Sequence, residues 1–191
     1  MPSRLALATL LAASLGCGSA WAGPVGEPDA ALRARLKAAI AASASFDDRF
    51  EAQVWMVDYS SRLSPYVADE KARLELLKLV HAEARRAGLE PALVLSVMHV
   101  ESRFDRLAVS YAGAVGLMQI MPFWLTELGE KGSNLFKPAV NLRMGCTILR
   151  YYLDMERGNV ARALARYNGS LGRREYPDKV LGVMTSRWAG I

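Results

Sequence analysis

The stretch Pro91-Ala92-Leu93-Val94-Leu95-Ser96-Val97-Met98-His99-Val100-Glu101-Ser102-Arg103-Phe104 decides the fold. Val94, Val97, Met98 and Phe104 lie on one stripe of a 3.6-residue period, which predicts a helix, and Glu101 falls inside that stripe. Ser96, His99, Ser102 and Arg103 fall on other faces. Asp105 and the run Ala108-Val109-Ser110-Tyr111-Ala112-Gly113 predict that the helix stops near Phe104. Charged side chains are seldom buried unless something pairs them, so a glutamate on an apolar stripe needs a reason. In the last turn, near the negative end of the helix dipole and partly buried, its ionised form is disfavoured and its pKa rises. A carboxyl that keeps its proton near neutral pH is a candidate general acid. The bland alternative is a solvated surface glutamate.

Working outward, the chain reads as helices throughout. Ala30 to Ala44 is alanine-rich, and Phe46 to Leu63 ends before Pro65. Asp69 to Ala87 carries Leu74, Leu77, Val80 and Ala84 on one face, with Gly88 as its stop. Gly116 to Leu128 reads as a short helix interrupted near Pro122. Pro138 to Arg157 has the stripe Leu142, Cys146, Leu149 and Leu153, closed by Gly158. Val160 to Tyr167 and Tyr176 to Trp188 complete the set. No alternating run is long enough to predict a strand. The expected class is all-α: a small helical extension over 23–68, then one domain over 69–191.

The 191 residues suit one domain, and 52% hydrophobic with 23% charged residues is ordinary for a chain with a core. Met1 to Arg4 is positively charged, Leu5 to Leu15 is apolar or small, and Ala20-Trp21-Ala22 has the form of a cleavage site. Residues 1–22 therefore read as a secretory signal peptide, and the apolar run is too short to span a membrane. The expected location is the periplasm. Leu15-Gly16-Cys17 hints at a lipoprotein box, with an outer-membrane anchor as the alternative, although Ser14 stands where such boxes carry an aliphatic residue. Cleavage after Ala22 leaves Cys146 alone, so no intramolecular disulfide is expected. It also removes one arginine and no acid, lowering the net charge from +5 to +4. That charge favours anionic polymers, and export makes a wall polymer a better candidate than nucleic acid. His81 and His99 are the only histidines and no Cys-x-x-Cys occurs, so no metal or cofactor is expected.

Four motifs stand in order: Glu101-Ser102-x-Phe104; Ser110-Tyr111-Ala112-Gly113-Ala114-Val115-Gly116-Leu117-Met118-Gln119-Ile120-Met121-Pro122; Asn141-Leu142-x-x-Gly145; and Ala165-Arg166-Tyr167-Asn168. Together they resemble the soluble lytic transglycosylase family over about residues 70–185. The resemblance implies a goose-type lysozyme-like helical domain that cleaves the β-1,4 bond between N-acetylmuramic acid and N-acetylglucosamine in peptidoglycan. It implies 1,6-anhydro products, with Glu101 as sole acid and base. Ordinary glycosidases use two carboxylates; here the attacking 6-hydroxyl is tethered to the sugar itself.

The same resemblance implies that Tyr167 hydrogen-bonds and orients Glu101, and that Ser110, Gln119 and Met121 contact the glycan. Asn168 either caps its helix or helps hold the site. Read as residues alone, Tyr167 and Met121 are core side chains, and Ser110 and Gln119 satisfy backbone groups in a turn. Ser102 reads equally as a hydroxyl bonding an upstream carbonyl. Family members often carry a further glutamate four residues before the tyrosine of the last helix; that position here is Gly172, with Glu175 beside Tyr176. Two other functions compete. A hydrolytic lysozyme-type muramidase needs a second carboxylate or a placed water, and Asp105 is the nearby acid. A non-catalytic peptidoglycan-binding or assembly module would keep the fold without the acid. A protein partner in the cell wall or a secretion apparatus is left open.

Overall fold

The computed structural model describes residues 49–127 and 131–189; the signal peptide, Cys17 and the Ala30–Ala44 helix lie outside the described residues. Within them the chain forms α1 (Arg49–Leu63), α2 (Glu70–Ala87), α3 (Pro91–Glu101), α4 (Phe123–Glu127), α5 (Pro138–Met155), α6 (Val160–Tyr167) and α7 (Glu175–Val183). A π-helical turn, Met184–Trp188, continues α7. The expected all-helical class holds, with two isolated antiparallel bridges, Val109 to Val115 and Val115 to Ile120, added to it.

The caps explain several boundaries. Asp69 accepts the Ala72 amide at 2.7 Å and opens α2. Gly88 closes it in the left-handed conformation at φ 63°, where its missing Cβ removes the strain. Pro91 and Pro138 occupy first-turn positions of α3 and α5, where a missing N–H costs nothing. Asn159 accepts the Arg162 amide at 3.0 Å and opens α6.

α3 is the central helix. Every residue from Ala92 to Val97, and Met98 after it, is buried, so the helix is enclosed on all sides rather than along one stripe. Ser96, on another face from the stripe, is therefore inside as well. Its hydroxyl is satisfied by donating to the Ala92 carbonyl at 2.6 Å. Around α3 pack α2, α7 and the π turn, with α5 against α2 and α6. Buried Glu83 fastens α2 to α5 by accepting Arg143 Nη2 at 2.6 Å and Arg86 Nε at 2.5 Å. Such a buried triad fixes the register of two helices more than it adds stability.

α1 joins this core. Tyr59 and Leu63 are buried in it, and the Tyr59 hydroxyl donates to the Trp188 carbonyl at 2.7 Å. Arg62 Nη1 donates to the Ala189 carbonyl at 2.8 Å. Trp188 and Ala189 are thereby clasped to α1. Trp188 Nε1 in turn donates to His99 Nδ1 at 3.3 Å, and burial lowers the His99 pKa, keeping the ring neutral.

Two expectations need correction. Residues 116–122 are not helical: they form a turn and a bridge, and the short helix begins only at Phe123. Gly116 at φ 77° and Gln119 at φ 50° take left-handed backbone that no helix accommodates. The last helix is also interrupted, becoming a π turn at Met184 that seats Trp188 in the core.

Candidate active site

Glu101 is the last residue of α3. The next residues turn away at once: Arg103 and Phe104 both take left-handed backbone, φ 51° and 67°, a conformation costing about 1–3 kcal/mol for each non-glycine residue. Burial of the Phe104 ring against Trp188 and Tyr66 helps hold this bend. Ser102 fixes the corner, its hydroxyl lying 3.1 Å from the Met98 carbonyl and 2.8 Å from the Leu117 carbonyl. The expected contact with an upstream carbonyl is present, and the second contact ties the helix end to the glycine turn.

That turn is a small rigid structure. Val115 exchanges backbone bonds with Ile120, both at 2.9 Å, and the Gly116 amide donates to Ala108 at 2.8 Å. Asn141, fully buried on α5, completes it: Oδ1 accepts the Met118 amide at 2.8 Å, and Nδ2 donates to the Val115 and Leu135 carbonyls at 2.8 and 3.1 Å. One turn further along α5, Gly145 leaves the space that Met118 fills; a Cβ there would lie 2.4 Å from the Met118 sulfur. The Asn141-x-x-x-Gly145 motif thus serves the backbone of the turn.

The electrostatics centre on Glu101. The carboxyl is half-buried, and burial raises its pKa from 4.5 to about 7. The Tyr176 hydrogen bond and the positive charge of Lys179 work in the opposite direction without cancelling the shift. Tyr176, in the first turn of α7, donates its hydroxyl to Glu101 Oε1 at 2.6 Å. Lys179 stands one turn later on the same helix. Burial raises the Tyr176 pKa well above its ordinary value, and the adjacent Glu101 charge adds to the shift, so the phenol stays protonated and remains a donor.

This corrects the expectation for Tyr167. It lies near enough to feel the Glu101 charge, behind burial, as a cause of its raised pKa, but its hydroxyl donates to the Met118 carbonyl at 2.8 Å. Tyr176 holds the acid and Tyr167 holds the turn. Spacing along α6 gave no means of choosing between the two tyrosines. The available signal was a phenol opening the last helix, next to Glu175.

The remaining expected residues are placed as follows. Ser110 Oγ accepts the Ala114 amide at 3.0 Å. Gln119 Nε2 donates to the Gly116 and Ala108 carbonyls at 2.9 and 3.3 Å. Met121 is half-buried against the core. Asn168 is the C-cap residue of α6, its own amide bonding the Leu164 carbonyl at 3.0 Å. Asp105 is exposed, and its Oδ1 accepts the Leu107 amide at 2.8 Å in its own loop. Among the described residues no group of three or more His, Cys, Asp or Glu is placed to hold a metal ion.

The pattern of motifs around this carboxyl agrees with a family comparison. The Transglycosylase SLT domain model matches residues 78–179, which is over half of the chain. The chain belongs to this family. The matched region runs from α2 to Lys179, and so contains Glu101, the glycine turn, Asn141 and both tyrosines. The membrane-bound lytic murein transglycosylase C of Histophilus somni (strain 2336) is 32% identical over 143 residues, covering 58% of this chain and 39% of that protein. A transglycosylase of Enterobacteria phage PRD1 is 33% identical over 115 residues, covering 56% of this chain and 42% of that one. The solved lytic transglycosylase Slt from Pseudomonas aeruginosa is 28% identical and superposes with a TM-score of 0.49 over 55% of this chain and 22% of its own. The chain therefore spans less than half the length of each of these relatives.

Proposed function

We propose that this SLT-family chain is a peptidoglycan lytic transglycosylase that cleaves the β-1,4 bond between N-acetylmuramic acid and N-acetylglucosamine, leaving 1,6-anhydro ends. The observation that carries this reading is the Glu101 carboxyl, with a pKa of about 7 and a phenol donor at 2.6 Å. Such a group is protonated in a large fraction of molecules near neutral pH and readily gives up and regains its proton. In the first step Glu101 protonates the glycosidic oxygen, and the bond from that oxygen to the muramoyl anomeric carbon breaks. Positive charge at that carbon is stabilised by the substrate's own N-acetyl group. The carboxylate, held by Tyr176, then takes the proton of the muramoyl 6-hydroxyl as that oxygen closes on the anomeric carbon. Glu101 ends protonated as it began, and no water is consumed.

A hydrolytic route through Asp105 has little support, because that carboxylate is exposed and engaged with its own loop. In our reading Ser110 keeps its hydroxyl proton free to donate to the glycan. Gln119 uses its amide hydrogens on the turn and offers its carbonyl oxygen to a sugar N–H or O–H. We assign Met121 and Asn168 to contacts with the same glycan. Tyr167 acts through the Met118 carbonyl. We assign residues 1–22 to export into the periplasm, with a Cys17 lipid anchor as the alternative, and residues 69–191 to the catalytic unit. Among the described residues no helix is long and apolar enough to cross a membrane.

Digestion of purified sacculi followed by mass spectrometry tests the reaction. Products with anhydro ends are expected, and Glu101→Gln slows their release by orders of magnitude. Products heavier by one water identify a muramidase instead, and no products from the parent chain point to a binding module.

A further inference from the structure

One continuous segment, α7 with its π turn, is fastened to α3 at two places. At its start Tyr176 donates to Glu101 Oε1 at 2.6 Å. At its far end the π turn carries Trp188, whose Nε1 donates to His99 Nδ1 at 3.3 Å. Side chains two residues apart on a helix point about 200° apart, so the last turn of α3 is held from two sides. π turns are uncommon and concentrate at functional sites.

The His99 ring is fixed in one protonation state by these partners. An indole N–H can only donate, so Nδ1 must be bare, and the neutral ring carries its hydrogen on Nε2. Nε2 lies 3.3 Å from the Tyr66 hydroxyl oxygen, which accepts that hydrogen. Trp188 is buried and packs edge-on against Phe104, with ring centroids 5.4 Å apart, beside the left-handed bend that follows Glu101.

We propose that His99 and Trp188 are positioning residues for Glu101: their bond sets how α7 presents Tyr176 to the acid, and a proton on His99 releases it. The proposal rests on the reading of Glu101 as the acid of the cleaving reaction. A second ring proton turns Nδ1 into a donor facing another donor, and the tie to α7 is lost. The groups around the ring add to this. Tyr66 faces it from the α1–α2 connection, Arg103 from the bend, Lys179 from α7, and Arg187 with Trp188 from the π turn. Arg62 of α1 approaches the same turn but is paired with Asp58. Burial first, then Arg103, Arg187 and Lys179, push the His99 pKa below 6.5. Glu101, with its midpoint of about 7, is protonated at lower pH and limits turnover only on the alkaline side. An acid-side limit therefore belongs to His99.

The bond can be cut from either end. Trp188→Phe and His99→Phe each keep a ring and remove one partner. Each is expected to lower kcat on sacculi about tenfold at neutral pH with KM within about twofold. Each is also expected to raise the Glu101 midpoint in a 13C-carboxyl NMR titration, because a slackened Tyr176 bond no longer favours the ionised acid. His99→Asn places Oδ1 where Nδ1 stood, accepts the same N–H and does not titrate. It is expected to restore kcat to within about threefold of the parent and to lack the parent's fall in kcat below pH 6.5. An unchanged kcat and Glu101 midpoint in the Phe variants, or an acid-side fall that persists in His99→Asn, would overturn the proposal. Should both Phe variants fail to fold, the pH profile of His99→Asn decides. If the parent chain releases no anhydro products, the cleavage reading fails on its own account, and the Glu101 titrations still judge the tie.

Discussion

The two walls of the Glu101 site are built by different means. The helical wall, α6 and α7, brings Tyr167 and Tyr176 inward on regular backbone whose apolar faces pack on the core. The looped wall, residues 102–122, has almost no regular structure and is held by side chains bonding backbone groups: Ser102 to Leu117, Asn141 to Met118, Gln119 to Gly116. A helix tolerates the loss of one side-chain contact because its backbone bonds remain. A turn pinned by side chains loses its shape with its pins. Loss of a contact to the acid should therefore show in the chemistry, and loss of a pin of the looped wall, Tyr167 included, should show in stability.

The largest expected effect belongs to neither wall. Glu101→Gln keeps shape and removes the proton, and turnover of sacculi should fall about 10²–10⁴-fold. The same variant should be more stable than the parent at neutral pH. The folded pKa of about 7 lies above 4.5, so the charged form is penalised by folding. The parent is then relatively more stable below about pH 4.5 and loses stability as pH rises to 7, on the order of 3 kcal/mol. Melting curves of the two chains should converge near pH 4 and separate near pH 7.5.

On the looped wall, Asn141→Ala strands a buried amide and two carbonyls and should cost on the order of 3 kcal/mol in chemical denaturation. Gly116→Ala meets both positive φ and a Cβ 2.5 Å from Asn141 Nδ2, and should be comparably damaging. If either variant loses activity with stability intact, the division between the walls is wrong. On the helical wall, Tyr176→Phe should lower kcat about 10–100-fold with little loss of stability. Because that hydrogen bond favours the ionised acid, its removal raises the Glu101 pKa and moves the alkaline limb of the pH profile upward. Tyr167→Phe should cost about 1 kcal/mol of stability and leave kcat within about threefold. Equal kinetic losses in both would restore Tyr167 as the partner of the acid. The smallest effect is expected at the exposed Arg174–Asp178 pair, where Arg174→Ala should change stability by less than about 0.5 kcal/mol.

The same contrast governs what can be read from residues alone. Helices with a clear apolar period and a cap, such as α2 between Asp69 and Gly88, were legible nearly to the residue. Glu101 was legible because a charge on an apolar stripe is conspicuous. The segment 116–122 was misread as helix because its apolar residues pack in a turn whose backbone is set from a distance by Asn141. The burial of Ser96 was not legible because α3 is enclosed on every side, which a one-stripe reading does not anticipate. The exchange of roles between Tyr167 and Tyr176 follows from how α6 and α7 converge on α3, and local spacing carries no such information.

The most direct measurement is a titration of the full chain with 13C-labelled glutamate, in which the Glu101 carboxyl signal is identified by its disappearance in Glu101→Gln. A midpoint near pH 7 is the expected result. A midpoint near the ordinary 4.5 would mean that residue 101 is ionised throughout the neutral range and has no proton to give.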